Sequence, residues 1–196
     1  MAERTPLIDE APLQDRDLLQ RLSLYFDALD ARLRQGQGWF IFNAPSGRSR
    51  RIMSLIQERV GDADASVNTV FLSWREFSLS AYVREVGLPE LAPSAMSGDE
   101  RARREFDLAS RLTTDTQEGM LSADLLILAG LQLMHDHEVR VLDETLETRY
   151  RQRLATIVMT PELPRTLEEE FRTVDPSRTY WNRFYERMYE TSLIAV

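Results

Sequence analysis

The apolar positions of this chain change period along its length, and the changes mark out alternating helices and strands. Residues 14–35 carry Leu18, Leu19, Leu22, Leu24, Tyr25, Phe26, Leu29 and Leu33 at near-helical spacing, which predicts a moderately amphipathic helix. Gly36 and Gly38 then stop it. "WFIFNA" (39–44) is a short apolar run bounded by breakers and predicts a buried strand. Over 48–60, Ile52, Leu55, Ile56 and Val60 share one helical face. "VNTVFLSW" (67–74) predicts a second strand, and "REFSLSAYVREVG" a helix closed by Gly87. The Pro/Ser/Gly-rich stretch 88–98 reads as a loop, and the charged segment 99–119 as moderately helical. "ADLLILAGL" (123–131) is continuously apolar rather than alternating, as suits a strand covered on both faces. A helix over 138–153, a strand over 155–161, a short helix beginning at Pro164, a helix over 177–190 and a last strand "TSLIAV" complete the series. Strands alternating with helices predict a parallel, layered α/β domain. Residues 1–13, with two prolines and no period, read as a flexible tail, and 14–196 as a single domain that the N-terminal helix packs on or extends from.

Composition narrows the function more than the fold. Net charge is −8 with a pI near 4.9, which argues against a strongly basic nucleic-acid surface. A local stripe remains open, with Arg48, Arg50 and Arg51, or Arg101, Arg103 and Arg104, as its candidates. Without cysteine the chain has neither a disulfide framework nor a thiolate metal site. No apolar run approaches the roughly 18–20 residues of a membrane span, and "MAERTPLIDE" is not a signal peptide, so a cytoplasmic location is expected. All 24 basic residues are arginine.

The chemistry concentrates in "FIFNAPSGRSRR", an apolar strand running into a turn and then a helix. A phosphate-binding loop G-x-x-x-x-G-K-[ST] would have glycine at Phe42 and lysine at Arg48. Gly47 and Ser49 stand at the second glycine and the hydroxyl, positions suited to close backbone approach of a phosphate and to a Mg²⁺ ligand. Arg48 keeps the charge of the lysine but not its compact shape, and Pro45 stiffens the turn. The bland alternative is a strand–turn–helix in which Ser46-Gly47 merely makes the connection.

The series of such a turn, "DLLIL" about eighty residues on, "RYRQRLATIVMTPELP", and "NRFYERM" before a final strand resembles the AAA+ ATPases of the DnaC/DnaI helicase-loader and IstB transposase-helper family, from about Leu18 to Val196. The resemblance implies a three-layer α/β domain with a five-stranded parallel sheet in the order 5-1-4-3-2 and helices on both faces. It implies ATP or ADP with Mg²⁺ at the loop Pro45, Ser46, Gly47, Arg48 and Ser49, although no intact motif secures either. It makes Thr160 the nearest counterpart of the γ-phosphate sensor, and Arg183 and Arg187 the counterparts of a pair from which one arginine reaches a neighbour's ATP. At i and i+4 both project from one helical face, as they also would in an ordinary solvated face beside Glu186 and Glu190.

The sequence departs from the family where catalysis depends on it. The strand "DLLIL" continues into Ala129 and Gly130, where family members carry two acids for Mg²⁺ and water. Asp124 begins that strand, too far from its end at roughly 3.3 Å per residue. The leading expectation is therefore a degenerate, hydrolysis-deficient domain with no metal site, working as a protein-interaction or regulatory module in a replication- or transposition-related assembly. Its partner would be an active AAA+ ATPase, a helicase, a transposase or a second copy, with weak or no direct nucleic-acid binding. One alternative is a slow or regulated ATPase using Gly47, Arg48 and Ser49 with an acid from elsewhere, such as Asp143 or Glu144. Another is a DNA-binding accessory factor. "HDH" (135–137) reads as a surface loop with Asp136 as a helix cap rather than a metal site. The five aromatics of "YWNRFYERMY" read as core and subunit surface rather than a base-stacking platform.

Overall fold

The computed structural model describes residues 11–62, 67–86 and 114–196. The predicted loop at 88–98, Arg101, Arg103, Arg104 and most of the predicted tail lie outside these residues. In chain order the elements are α1 (Leu13–Asp27), α2 (Leu29–Arg34), β1 (Gly38–Ile41), α3 (Ser46–Asp62), β2 (Thr69–Ser73), α4 (Trp74–Val86), α5 (helical at 114–122), β3 (Leu125–Ala129), α6 (Asp136–Gln152), β4 (Ala155–Met159), α7 (Pro164–Val174), α8 (Thr179–Thr191) and β5 (Ser192–Ala195). The five strands are parallel and lie in the order β2-β3-β4-β1-β5. This is the predicted sheet read from its other edge.

Strand alternation sorts β1 onto two cores. Phe40 and the following Phe42 face one side with Leu126, Leu128 and Val158, under α4, α6, α7 and α8. Trp39 and Ile41 face the other with Leu125, Ile127, Ile157 and Met159, under α1 and α3. Both faces of the central strands are apolar because helices cover both, which is why "LLILA" lacks the polar alternation of a half-exposed strand. Each fully buried Leu, Ile or Phe contributes on the order of 1.5–3 kcal/mol. No helix among the described residues is long and apolar enough to cross a membrane.

Several boundaries differ from the sequence reading. The predicted helix 14–35 is two helices, parted at Ala28, whose φ of −114° and ψ of 25° leave the helical region. Nothing in the local sequence marks that break. β2 stops at Ser73 because a capping box begins there: the Glu76 carboxylate accepts from the Ser73 N–H (2.8 Å) and hydroxyl (2.7 Å). The same bonds hold Glu76 below the usual carboxylate pKa. α6 begins at Asp136, so Asp136 is a first-turn residue and His135, not Asp136, precedes the helix. The Glu138 carboxylate takes the capping position there, accepting from the N–H groups of Met134 (2.8 Å) and His135 (2.9 Å). Ala11, in the segment read as a loose tail, is buried against the α1 core.

β1 leaves no room for a side chain where it enters the sheet. A Cβ on Gly38 would lie 1.8 Å from the Thr156 carbonyl oxygen of β4. Gly38→Ala must therefore push β1 from β4, and it is expected to lower the unfolding free energy by at least about 2 kcal/mol, the scale of forced overpacking. Urea unfolding followed by circular dichroism measures this; a loss below the experimental error would mean that the two strands adapt.

Candidate functional site

The loop leaves the carboxyl end of β1, where open α/β sheets usually hold their ligands. Phe42, at the position of the missing first glycine, turns its side chain into the core, its ring centroid 4.0 Å from that of Phe40. The left-handed step falls instead on Asn43 (φ 50°), one of the few residue types that adopts it readily. Two backbone bonds anchor the loop to the end of β4: Asn43 N–H to Glu162 O and Ala44 N–H to Thr160 O, both 2.9 Å. α3 then starts at Ser46, with Ser49 N–H bonding Pro45 O at 2.8 Å. Asn43, Pro45, Gly47, Arg48, Arg51 and Val196 line an open cavity of about 440 Å³ beside this helix N-terminus. Ser49 is half-buried and lies outside that lining.

Arg48 is folded back onto its own loop. Its Nη1 donates to the carbonyls of Asn43 (2.7 Å) and Phe42 (3.2 Å), and its Nε lies 3.0 Å from Asp15 Oδ1. That last contact is an ion pair whose N–H is not aligned as a hydrogen bond. Arg51, one helical turn on, donates from Nε to Asp15 Oδ2 at 3.0 Å and also through Nη2. Asp15 is 1% exposed and comes from α1. Both cations beside the loop cavity thus already face a protein carboxylate. Gly47 makes no such demand: a Cβ there would meet only Arg51 Nη1, at 3.8 Å, and its φ is not left-handed.

On the other side of the carboxyl edge, the described residues place no acid at the end of β3. β3 ends at Ala129, and Gly130 (φ 83°) and Leu131 follow. Thr160 is fully buried; its hydroxyl donates to Leu131 O (2.8 Å) and accepts from the Glu162 N–H (3.1 Å), so it ties the ends of β3 and β4 together. Two acids not singled out from the sequence lie at this edge. Glu162 faces Gln132 (3.3 Å), and Glu170 accepts from the Leu133 N–H (3.1 Å). Burial raises the Glu170 pKa; the Leu133 hydrogen bond opposes this and the Glu162 charge adds to it. Neither side chain lines the loop cavity, and the described residues contain no group of three or more His, Asp or Glu placed to hold a metal ion.

The α8 arginines meet at one carboxylate. Arg187 is largely buried and bonds Asp143 Oδ1 (2.7 Å) and Glu147, both on α6. Arg183 is half-exposed, lies over the Tyr180 ring at 5.1 Å and pairs with Asp143 Oδ2 at 2.8 Å. Asp143 is therefore taken by two cations, and Glu144 pairs with Arg84 at 2.6 Å. Both acids considered from the sequence as metal ligands are engaged elsewhere. The aromatics of α8 divide as amphipathicity predicts: Trp181 and Phe184 are buried, Tyr185 and Tyr189 exposed and stacked on each other. His135 and His137 stack at 5.2 Å on the surface turn entering α6.

No protein-family model matches this sequence, and no curated protein matches it. Solved structures do. The crystal structure of DnaI aligns with a TM-score of 0.61 at 12% identity, covering 99% of this chain and 94% of that one. The DnaC helicase loader aligns with a TM-score of 0.56 at 14% identity, covering 95% of this chain and 92% of that one. AMPPCP-bound DnaA from Aquifex aeolicus gives 0.55 at 13% identity, over 94% of this chain but 47% of its own, so this chain spans about half of that molecule. The chain has the α/β fold that these proteins share, with the strand order that the sequence resemblance implied.

Two substitutions separate the parts of the loop. Asp15→Asn leaves Arg48 and Arg51 facing an amide in a mostly buried site and should cost about 1–3 kcal/mol, less than a fully buried pair because Arg51 is partly solvated. Gly47→Ala should be neutral or stabilising by up to about 1 kcal/mol, since it meets no steric obstacle in a helix. Denaturant titration of both variants measures the pair; a costly Gly47→Ala would show that the backbone needs glycine there.

Proposed function

We propose that this chain is a hydrolysis-deficient AAA+-type domain that works by binding another protein of a replication-type assembly. The observation that carries the proposal is the lining of the loop cavity, which holds Arg48 and Arg51 and no acidic side chain among the described residues. Mg²⁺ takes oxygen ligands and is held in phosphate sites by one or two carboxylates. Two guanidinium groups repel it, and Asp15 is enclosed between them rather than facing the cavity. The residues present do not fit a Mg²⁺-nucleotide centre. A phosphate alone fits better in charge, but it must compete with Asp15 for both arginines.

The partner surface follows from exposure. Arg183, Tyr185 and Tyr189 give the outer face of α8 a cation and two aromatic rings in or near solvent, a composition enriched at protein interfaces. Of the two arginines, Arg183 is the one free enough to reach a phosphate held by a neighbouring ATPase, because Arg187 is enclosed by Asp143 and Glu147. The structural likeness to the DnaC helicase loader favours a replicative helicase or its loader as the partner.

A second reading, a slow ATPase, is favoured by one specific observation: Glu162 stands at the carboxyl edge and its carbonyl oxygen holds the loop through Asn43.

Titration calorimetry with ATP and ADP, each with and without Mg²⁺, together with a steady-state phosphate-release assay, tests both readings. The expected outcome is no hydrolysis above background and no strengthening of nucleotide binding by Mg²⁺. Hydrolysis comparable to active AAA+ ATPases, abolished by Gly47→Val, would overturn the proposal. If that hydrolysis were also abolished by Glu162→Gln, the second reading would take its place.

A further inference from the structure

A cavity of about 620 Å³ among the described residues lies at the opposite edge of the sheet from the loop, where β1, β4 and β5 begin. It is lined by Arg34 at the end of α2, Arg149, Arg151 and Arg153 around the end of α6, and Arg187 of α8, with Glu190 as the one acid in the lining. In a chain of net charge −8 this is a local reversal of sign. Much of the charge has an internal use. Arg187 is held by Asp143 and Glu147, Arg151 pairs with Glu147 at 2.5 Å, and Glu190 accepts from the Tyr150 hydroxyl at 2.6 Å. Arg149 is buried among oxygens with no carboxylate in contact: it donates to the carbonyls of Met120, Ala123 and Ala155 and to the Thr156 hydroxyl, and burial pushes its pKa down to about 10, against the charge of nearby Asp124.

Arg34 and Arg153 have no internal use among the described residues. Neither guanidinium has a hydrogen-bond or ion-pair partner among the described residues. Cations near helix C-termini complement the helix dipole, which accounts for positive charge at this edge. It does not account for Arg153, which sits in the left-handed conformation (φ 56°, ψ 41°) where glycine is the usual residue. Backbone strain held by a charged side chain at the rim of a cavity points to a use for that side chain. The two arginines are also fixed relative to each other. Gly36, between Arg34 and β1, packs so closely on the Arg153 backbone that a Cβ would fall 2.8 Å from the Arg153 carbonyl oxygen.

We propose that this cavity binds a small polyphosphate anion, with Arg34 and Arg153 as its two clamps and the buried charge of Arg149 behind them. The volume lies within the range of small-molecule sites, and guanidinium forks match phosphate oxygens bidentately. The half-exposed ring of Tyr150 in the lining can stack on a base if the polyphosphate belongs to a nucleotide. The site is independent of the loop and of Arg183.

The test is Mg²⁺-free calorimetry of the whole chain with tripolyphosphate and, separately, ATP, at low salt. One equivalent should bind per chain. Arg34→Ala and Arg153→Gly should each weaken binding by about tenfold or more, the scale of a lost charge-assisted contact. Arg153→Gly removes the left-handed strain, so its melting temperature should hold or rise, which separates lost binding from lost fold. Gly47→Val should leave this binding unchanged. Tighter ATP than tripolyphosphate, reduced to parity by Tyr150→Ala, would identify a nucleotide; equal affinities would identify the phosphate chain alone. No binding at millimolar ligand, binding indifferent to Arg153→Gly, binding lost with Gly47→Val, or a stoichiometry of one per two chains would each overturn the proposal.

Discussion

Asp15 is a carboxylate with almost no contact with water, and such a group must be neutralised where it stands. The cations that reach it are Arg48 and Arg51, on the first turns of the helix that follows the loop. That requirement fixes α1 across the start of α3 and closes the core beneath them, where Leu18, Leu19 and Leu22 meet Ile52, Leu55 and Ile56. A buried ion pair adds little net stability against an apolar replacement, but it penalises every arrangement that separates its members. Its effect here is to specify one seat for α1, and with it one state of the loop. Both cations beside the loop thus face a carboxylate of the fold itself.

The same logic orders the rest of the carboxyl edge. Thr160 is where a phosphate sensor would be sought, yet its hydroxyl is consumed in joining the ends of β3 and β4. Asp143, a candidate metal ligand, holds two arginines, and Glu144 holds another. Arg48, Thr160 and Arg187, which the AAA+ resemblance would assign to nucleotide chemistry, are each engaged by neighbours inside the chain. Self-satisfaction of this kind removes the uncompensated charges that drive a polar site to take a ligand, while leaving the sheet and its two cores intact.

The sheet was legible in the sequence because it depends on patterns that the sequence carries locally: five apolar runs of strand length, separated by helical periods, and a loop at the end of the first. Boundaries were less legible where side chains redirected the backbone. Ser73 and Glu76 spell a capping box that ends β2 early, and this signal was present in the sequence but outweighed by the apolar run around it. The site was legible only in part. That Arg48 stands in the lysine position could be read directly; that it lies against Asp15 could not, because the two are 33 positions apart and no rule of spacing joins them. Glu162 was hidden for a related reason, since its relation to the loop runs through a backbone bond to Asn43 across two strands. Arg153 gave no sequence signal at all, because an arginine in a left-handed turn looks like any other arginine until its backbone is seen.

The two α8 arginines carry this reasoning one step further. They have the same spacing, the same charge and the same carboxylate partner, so sequence alone treats them alike. Arg187 also bonds Glu147 and is largely buried between α6 and α8, so withdrawing it would break two ion pairs at a helix interface. Arg183 shares Asp143 only through the oxygen that Arg187 does not use, keeps its other face on Tyr180, and is half in solvent. If Arg183 turned outward, Asp143 would still hold one guanidinium, and the cost would be that of a partly exposed pair, small beside that of a buried one. The arrangement is therefore asymmetric in exposure and in pairing: one arginine joins α8 to two acids of α6, and its neighbour shares one of those acids while half in solvent.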